Sequence, residues 1–223
     1  MSWWVATFWE MNPMFLVSWV FWVITSICLH ELAHGWAAIR EGDDTPIHTG
    51  HMTWNPMVHM GPTALILFAL FGFTYGMMPV DPSRFRSRYG DAFVAAAGPL
   101  CNLLQFAVLM LILVPWVAFA ERAGVDETFF KNMQTFLFVG GAINLLGFCF
   151  NLIPIPPLDG WRIACSFSRP FADLWQGERG AVMGFIGFAL IFLVGGRYVF
   201  SFALGTTALV RDWGAALLGM IFG

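Results

Sequence analysis

Five stretches of the chain contain no aspartate, glutamate, lysine or arginine, and several are as long as a membrane-spanning helix. They are residues 11–29, 49–80, 92–120, 132–158 and 180–196. About 20 apolar residues in a helix cross the hydrocarbon core of a bilayer. Only 11% of the 223 residues are charged and 58% are hydrophobic, which is far from the mix of a soluble globular domain. The pattern predicts an all-α polytopic membrane protein.

Hydropathy locates the candidate helices. We predict three core helices, at about 13–39, 92–120 and 134–153, and one or two C-terminal helices within 161–223. Between the first two core helices, the polar start of residues 41–91 places glycine, proline, aspartate and asparagine at turn positions, with β-favouring residues between them. This composition favours a loop or a short hairpin there.

Two apolar segments have patterns that hydropathy alone does not assign. Residues 62–80 are interrupted by Gly72 and Gly76, so this segment either spans the membrane, re-enters it or lies on its surface. Residues 1–12 contain three tryptophans, which are typical of the membrane interface. No repeat or low-complexity tract is present, and we expect residues 1–223 to form a single domain.

Charge and cysteine usage exclude several other classes. The net charge is −3 and there is no long basic run, so nucleic acid is not expected as a partner. The four cysteines have no CxxC spacing, and neither a disulfide framework nor a thiolate metal site is predicted. The sequence does not define an oligomeric state.

The first core helix ends in the stretch "LHELAH", which introduces three ionisable side chains together. His30 and His34 are separated by four residues, so both lie on one face of a helix, with Glu31 beside them. Ionisable groups in a membrane-spanning helix are costly unless they are paired or bound. The HExxH spacing is typical of two histidines that bind zinc and a glutamate that activates water. We therefore predict a zinc site.

A catalytic zinc ion takes three protein ligands and keeps one position open. His48, His51, His59 and the carboxylates are the candidates for the third ligand. Asp159 is favoured because it follows the proline-rich end of an apolar helix, in "NLIPIPPLDG". The alternative is that Asp159 caps the helix that follows it.

Topology tests this choice, because His30 and Asp159 can share a metal only at the same depth. If residues 62–80 do not cross the membrane, both motifs lie near one face. Seven of the eleven basic residues then share that face, which the positive-inside rule makes cytoplasmic: Arg40, Arg84, Arg86, Arg88, Arg162, Arg169 and Arg179. We therefore predict that residues 62–80 are re-entrant or interfacial.

Three motifs together resemble the site-2 protease family of intramembrane zinc metalloproteases. They are "HELAH" at 30–34, "AAAGPLCN" at 95–102 and "NLIPIPPLDG" at 151–160. The stretch "GHMTWNPMVHMGP" at 50–62 is similar to the compact bacterial branch of the family, which lacks a PDZ domain.

The resemblance implies a three-helix catalytic core that holds one Zn²⁺ through His30, His34 and Asp159, with Glu31 as general base. It implies hydrolysis of a peptide bond in or next to a transmembrane helix of a membrane-protein substrate. We expect an integral protein of a bacterial or archaeal cell membrane, embedded in the lipid bilayer, with the active site toward the cytoplasm.

The resemblance also implies that Asn151 contacts the substrate, with Asn144 as a second candidate two turns earlier. The alternative for Asn151 is a hydrogen bond to a carbonyl freed at the helix break. His59 is a candidate auxiliary group, but relatives carry an acidic residue where this chain has Gly61. The default interpretation of His59 is a loop histidine with its hydrogen bonds satisfied.

Two other functions use the same residues differently. A divalent-metal transporter would use the histidines and Asp159 as a transit site and would not need Glu31. A catalytically silent scaffold would need none of these residues, and the presence of the whole expected set argues against it.

Overall fold

The structure, a computed structural model, describes residues 3–120 and 123–222. All the regular secondary structure within these residues is helical. The helices are α1 (Trp4–Met11), α2 (Pro13–Glu41), α3 (Thr45–His48), α4 (Pro56–Phe71), α5 (Gly90–Phe119), α6 (Glu127–Asn151), α7 (Asp159–Phe167), α8 (Arg169–Leu174), α9 (Gly177–Leu190) and α10 (Gly196–Phe222). Residues 42–55 form a loop around α3 rather than a hairpin.

The predicted three-helix core is confirmed as α2, α5 and α6, each long and apolar enough to cross a membrane. Helix α2 begins where the Asn12 side chain accepts a hydrogen bond from the backbone N–H of Met14, at 2.8 Å. It ends at Gly42, whose φ of 101° suits a residue without a side chain. The core helices pack through two clusters of buried side chains: Val23, Phe68, Val139 and Ile143, and Leu109, Met110, Leu113 and Leu137.

Helix α6 begins at Glu127, seven residues before the predicted position of 134. The side chain of Asp126 accepts a hydrogen bond from the Phe129 N–H at 2.9 Å and caps the helix. Lys131 then pairs with Glu127 one turn away, at 2.5 Å. Hydropathy missed this turn because its exposed face is polar.

Residues 62–80 fold back on themselves, which is the path expected of a re-entrant segment. Helix α4 packs Phe68 against Val23, and the chain then turns at Gly72, whose carbonyl accepts a hydrogen bond from the Trp19 indole at 2.7 Å. Residues 72–81, here called the return segment, run back along α2 without regular structure. The N–H of Asp81 reaches the Asp43 carboxylate beyond the end of α2, at 2.7 Å. The chain therefore enters and leaves on one side.

The N-terminal segment packs on the tip of this re-entrant hairpin. The indoles of Trp3 and Trp4 both donate to the carbonyl of Ala69, at 3.1 and 3.0 Å. A side chain at Gly72, where φ is 78°, would press on the Trp4 ring. Helix α1 thus covers the point where the backbone turns and α4 ends.

The C-terminal segment is one continuous helical rod from Gly177 to Phe222. A π-helical turn at Ile191–Gly195 joins α9 to α10. Helix α10 packs on the core, with Thr207 fully buried beside Gly141 and Val114 in contact with Gly214. Two C-terminal helices, α9 and α10, therefore follow one another without a break in the helical run.

The re-entrant path predicts that both ends of the hairpin face the same side of the membrane. Cysteines introduced as Trp54→Cys and Ser83→Cys, in a variant lacking the four native cysteines, should react with an impermeant thiol reagent from the same side. A cysteine at Thr128, before the body of α6, is the control and should react from the other side. Labelling of residues 54 and 83 from opposite sides would mean that 62–80 crosses.

Candidate metal centre

Three side chains from two distant parts of the chain converge at the middle of the core. His30 and His34 lie on one face of α2, with their Nε2 atoms 3.0 Å apart. The Asp159 carboxylate places Oδ2 at 3.1 Å from Nε2 of His30 and Oδ1 at 3.4 Å from Nε2 of His34. All three ligand atoms lie within 4.8 Å of one another, and both histidines are buried.

A tight turn carries Asp159 to this position. Asp159 is the first residue of α7, and Leu158 rather than Asp159 occupies the capping position. The alternative interpretation of Asp159 as a helix cap is therefore not observed. A side chain at Gly160 would overlap the backbone of Leu152, so the turn requires glycine. The guanidinium of Arg162, one turn further along, binds the Asp91 carboxylate at 2.6 Å and fixes α7 against α5.

The second nitrogen of each histidine has a fixed partner. Nδ1 of His34 lies 2.7 Å from the Val94 carbonyl, and Nδ1 of His30 lies 2.6 Å from Oδ1 of Asn102. Since these oxygens accept only, each Nδ1–H donates and each Nε2 keeps its lone pair. Metal-binding histidines are oriented in this way.

A buried amide network holds the Asn102 side chain in turn. Its Nδ2 donates to Oγ of Ser26 at 2.8 Å and to Oδ1 of Asn144 at 3.1 Å. The Ser26 hydroxyl also donates to Oδ1 of Asn144, at 3.0 Å, and Asn144 Nδ2 donates to the Gly140 carbonyl at 2.9 Å. The network thus orients the oxygen that receives the His30 proton.

The two asparagines predicted to contact substrate have different positions. Asn144 is 0% exposed, and its side-chain amide is hydrogen-bonded within the network. Because none of its surface is free, this position does not agree with the predicted substrate contact. Asn151 lies half-buried at the end of α6, where Nδ2 donates to the Gly147 carbonyl at 3.0 Å. The acceptor lies one turn back inside α6, so it is not a carbonyl freed at the helix break, and the substrate contact of Asn151 stays a prediction.

Two glycines let backbone come close to the reactive side chains. A Cβ on Gly98 of α5 would overlap Nε2 of both His30 and His34. A Cβ on Gly76 of the return segment would lie 2.6 Å from Oε1 of Glu31. Sequence reasoning missed both glycines, together with Ser26 and Asn102. The motif "AAAGPLCN" contains two of these four residues, but their partners lie more than 40 residues away.

The loop histidines lie outside the three-residue group. His48 pairs with Asp44 at 3.0 Å on the surface. His59 is 1% exposed, and its Nε2 lies 2.6 Å from the Thr53 carbonyl. Within the described residues, His30, His34 and Asp159 are the group with the spacing of a metal site.

Comparison with known families agrees with this arrangement. The sequence model of peptidase family M50, the site-2 protease family, matches residues 18–194. The chain belongs to peptidase family M50. The match includes α2, α5, α6 and the turn that carries Asp159.

Curated relatives of this M50 chain are bacterial. It is 35% identical over 182 residues to "Putative zinc metalloprotease YwhC" of Bacillus subtilis strain 168, covering 79% of this chain and 81% of the relative. It is 33% identical over 145 residues to "Putative zinc metalloprotease Rip2" of Mycolicibacterium smegmatis, covering 62% of this chain and 52% of that protein. A Mycobacterium tuberculosis protein of the same name is 28% identical, and 56% of it is covered. No solved structure matches the chain significantly.

The amide network predicts that Asn102 controls metal affinity from a distance. Asn102→Ala removes the acceptor of the His30 Nδ1–H, so the ring loses its fixed tautomer and orientation. We expect zinc affinity to fall about 10- to 100-fold, measured by competition with a chromophoric chelator. Gln105→Ala, one turn along α5, is the control and should keep the affinity of the unmodified chain. Equal affinity for Asn102→Ala would show that the network does not act on the centre.

The close approach of α5 predicts that Gly98 tolerates no side chain. Gly98→Ala places a methyl group on both histidine Nε2 atoms, so we expect metal content to fall at least tenfold. Gly205→Ala, where nothing lies within 4 Å of the added methyl, is the matched control. Full metal content in Gly98→Ala would contradict the helix spacing described here.

Proposed function

We propose that this M50 chain is an intramembrane zinc metalloprotease that hydrolyses a peptide bond in or next to a transmembrane helix of a membrane-protein substrate. The observation that carries the proposal is that Asp159 meets His30 and His34 on α2, a helix of membrane-spanning length. Glu31 follows His30 on the same helix. The family match and the names of the relatives support the same activity.

The donor set fits a catalytic zinc ion. Two imidazoles and one carboxylate are a common set for zinc in metalloproteases, and three protein ligands leave one position free. Both histidines already present Nε2, because a backbone or amide oxygen accepts the proton on Nδ1. We propose that His30, His34 and Asp159 hold one zinc ion per chain. When bound, zinc would act as a Lewis acid toward water and the scissile carbonyl.

Glu31 is the proposed general base. It follows His30 directly and is 7% exposed. The backbone of Gly76 packs closely against its carboxylate. A carboxylate oxygen of Glu31 would take the proton of the attacking water and later deliver it to the amine that leaves. General acid–base groups of this kind typically contribute 10²- to 10⁴-fold to a rate.

The substrate must unwind locally, because a helix ties up its own carbonyl groups in hydrogen bonds. We propose that Asn151, at the helix break near the centre, contacts the unwound segment. For Asn144 we propose a positioning role, since its contacts lead through Asn102 to His30.

We further propose that the site faces the cytoplasm. Arg40 lies in the last turn of α2, and Arg84 and Arg162 pair with acidic groups on the same side as that turn. Basic residues concentrate on the cytoplasmic side of membrane proteins. Arg122, in the sequence between α5 and α6, lies outside the described residues.

Metal analysis tests the three-ligand site. The purified chain should contain about one zinc, and His34→Ala and Asp159→Ala should lose most of it because each removes a ligand. Asp173→Ala, an exposed aspartate on α8, is the control and should keep its zinc. Zinc retained in Asp159→Ala would move the third ligand elsewhere, and no zinc in any sample would contradict the proposal.

Glu31→Gln separates proteolysis from metal transport. We expect it to retain zinc and to lose at least 100-fold in cleavage of a transmembrane substrate in proteoliposomes, because the amide cannot accept the proton. Glu10→Gln in the N-terminal helix is the control and should cleave normally. Unchanged cleavage by Glu31→Gln would contradict the general-base role. Uptake of zinc into the vesicles would favour the alternative function, a divalent-metal transporter.

A further inference from the structure

His51 and His59 are a pair of neighbouring histidines that the proposed catalytic centre does not use. His51 lies half-buried in the loop before α4, and His59 lies in the first turns of α4 and is 1% exposed. Their ring centroids are 6.5 Å apart, with the ring planes at 68°. Both belong to the stretch "GHMTWNPMVHMGP", so the loop and the start of α4 bring them together.

The hydrogen bonds of each ring define which nitrogen carries a lone pair. Nε2 of His59 lies 2.6 Å from the Thr53 carbonyl, and Nδ1 of His51 lies 3.1 Å from the Thr49 carbonyl. Nδ1 of His51 also lies 3.0 Å from Oγ1 of Thr49, which donates its own proton to the Thr45 carbonyl at 2.8 Å and so acts as an acceptor here. A carbonyl accepts only, so these two nitrogens donate. The lone pairs are therefore on Nδ1 of His59 and on Nε2 of His51.

The lone pair of His59 is buried without a hydrogen-bond partner among the described residues. A buried polar atom left unpaired destabilises the folded state, so a ligand for this nitrogen would remove a cost. Burial lowers the pKa of His59. The hydrogen bond to Thr53 raises this pKa in part, and repulsion by His51 lowers it further. A metal ion binds imidazole through a nitrogen lone pair, and the unpartnered Nδ1 of His59 offers one.

We propose that His51 and His59 form a second metal site, for a transition-metal ion that prefers imidazole ligands, such as Zn²⁺. In each ring a backbone carbonyl fixes one nitrogen and leaves the other free, which is the pattern of metal-binding histidines. Zinc–nitrogen distances are about 2.0–2.1 Å, so the two rings, whose centroids are 6.5 Å apart, must move toward one another to share one ion. With two protein ligands, the site binds more weakly than one with three.

This second site is linked to the chain that covers the catalytic centre. The sulfur of Met52, next to His51, lies 2.5 Å from the position that a Cβ on Gly35 would occupy, directly after His34. The carbonyl of His59 accepts a hydrogen bond from the N–H of Met77 in the return segment, at 2.8 Å. An ion between His51 and His59 therefore ties the loop to α4 and to the return segment.

The test is a zinc titration of the full chain in detergent, purified without a histidine tag, against a chromophoric chelator. We expect two ions per chain, the second at least 100-fold weaker than the first. His51→Asn and His59→Gln should each weaken the second ion at least tenfold and leave the first unchanged. Asn keeps an amide N–H near the Nδ1 position and Gln keeps one near Nε2, so both variants retain the backbone hydrogen bond and lose only the lone pair.

Controls separate this site from surface binding and from the catalytic centre. His48→Asn changes an exposed loop histidine and should bind both ions as the unmodified chain does. His34→Ala should lose the tight ion and keep the weak one, so the two proposals fail independently. A single ion in the unmodified chain, or a weak ion that survives His51→Asn and His59→Gln, would overturn the second site. A loss with His48→Asn as large as that with His51→Asn would overturn it as well.

Hydrogen exchange gives a second readout that does not depend on counting ions. Zinc in excess of one ion per chain should slow amide exchange in residues 49–60 of the unmodified chain and not of His51→Asn. The same slowing in both proteins would also overturn the proposal.

Discussion

The burial of two histidines and a carboxylate among apolar helices is the interaction on which the rest of the structure depends. Polar groups away from water must be satisfied inside the protein. Here His30 and His34 face the Asp159 carboxylate on one side and accepting oxygens on the other. Each accepting oxygen belongs to α5, and Asp159 arrives on the chain after α6. The polar centre thus fixes how the three core helices are arranged.

Close helix approach is the condition for these short contacts. Helices in a membrane gain little from excluding water and associate through packing and hydrogen bonds, which favours small residues at their interfaces. Gly98 allows α5 to meet the histidines, and Gly140 allows α6 to meet the Trp22 ring of α2. The same glycines that stabilise the bundle therefore set the distances within the centre.

The sequence predicted the elements better than it predicted their contacts. Uncharged runs located α2, α5 and α6, because a bilayer demands about 20 apolar residues per crossing. The requirement that His30 and Asp159 share a depth also predicted that residues 62–80 do not cross the membrane. The chain does fold back there, and its place in the membrane stays a prediction. Hydropathy could not find the polar first turn of α6, nor the continuity of the rod from Gly177 to Phe222. Asn102 and Gly76 act through partners that are distant in sequence, and no local pattern identifies them.

The uninterrupted course of α2 has a geometric consequence for any protein that this chain cleaves. His34 and His30 precede the last residue of the helix, Glu41, by seven and eleven residues. At 1.5 Å per residue, these two proposed zinc ligands lie about 10 to 16 Å along the helix from the end of α2. The length of α2 thus sets the depth of the site. A peptide bond of a substrate comes within reach of the site only if local unwinding brings the bond to that depth, whatever side chains surround it.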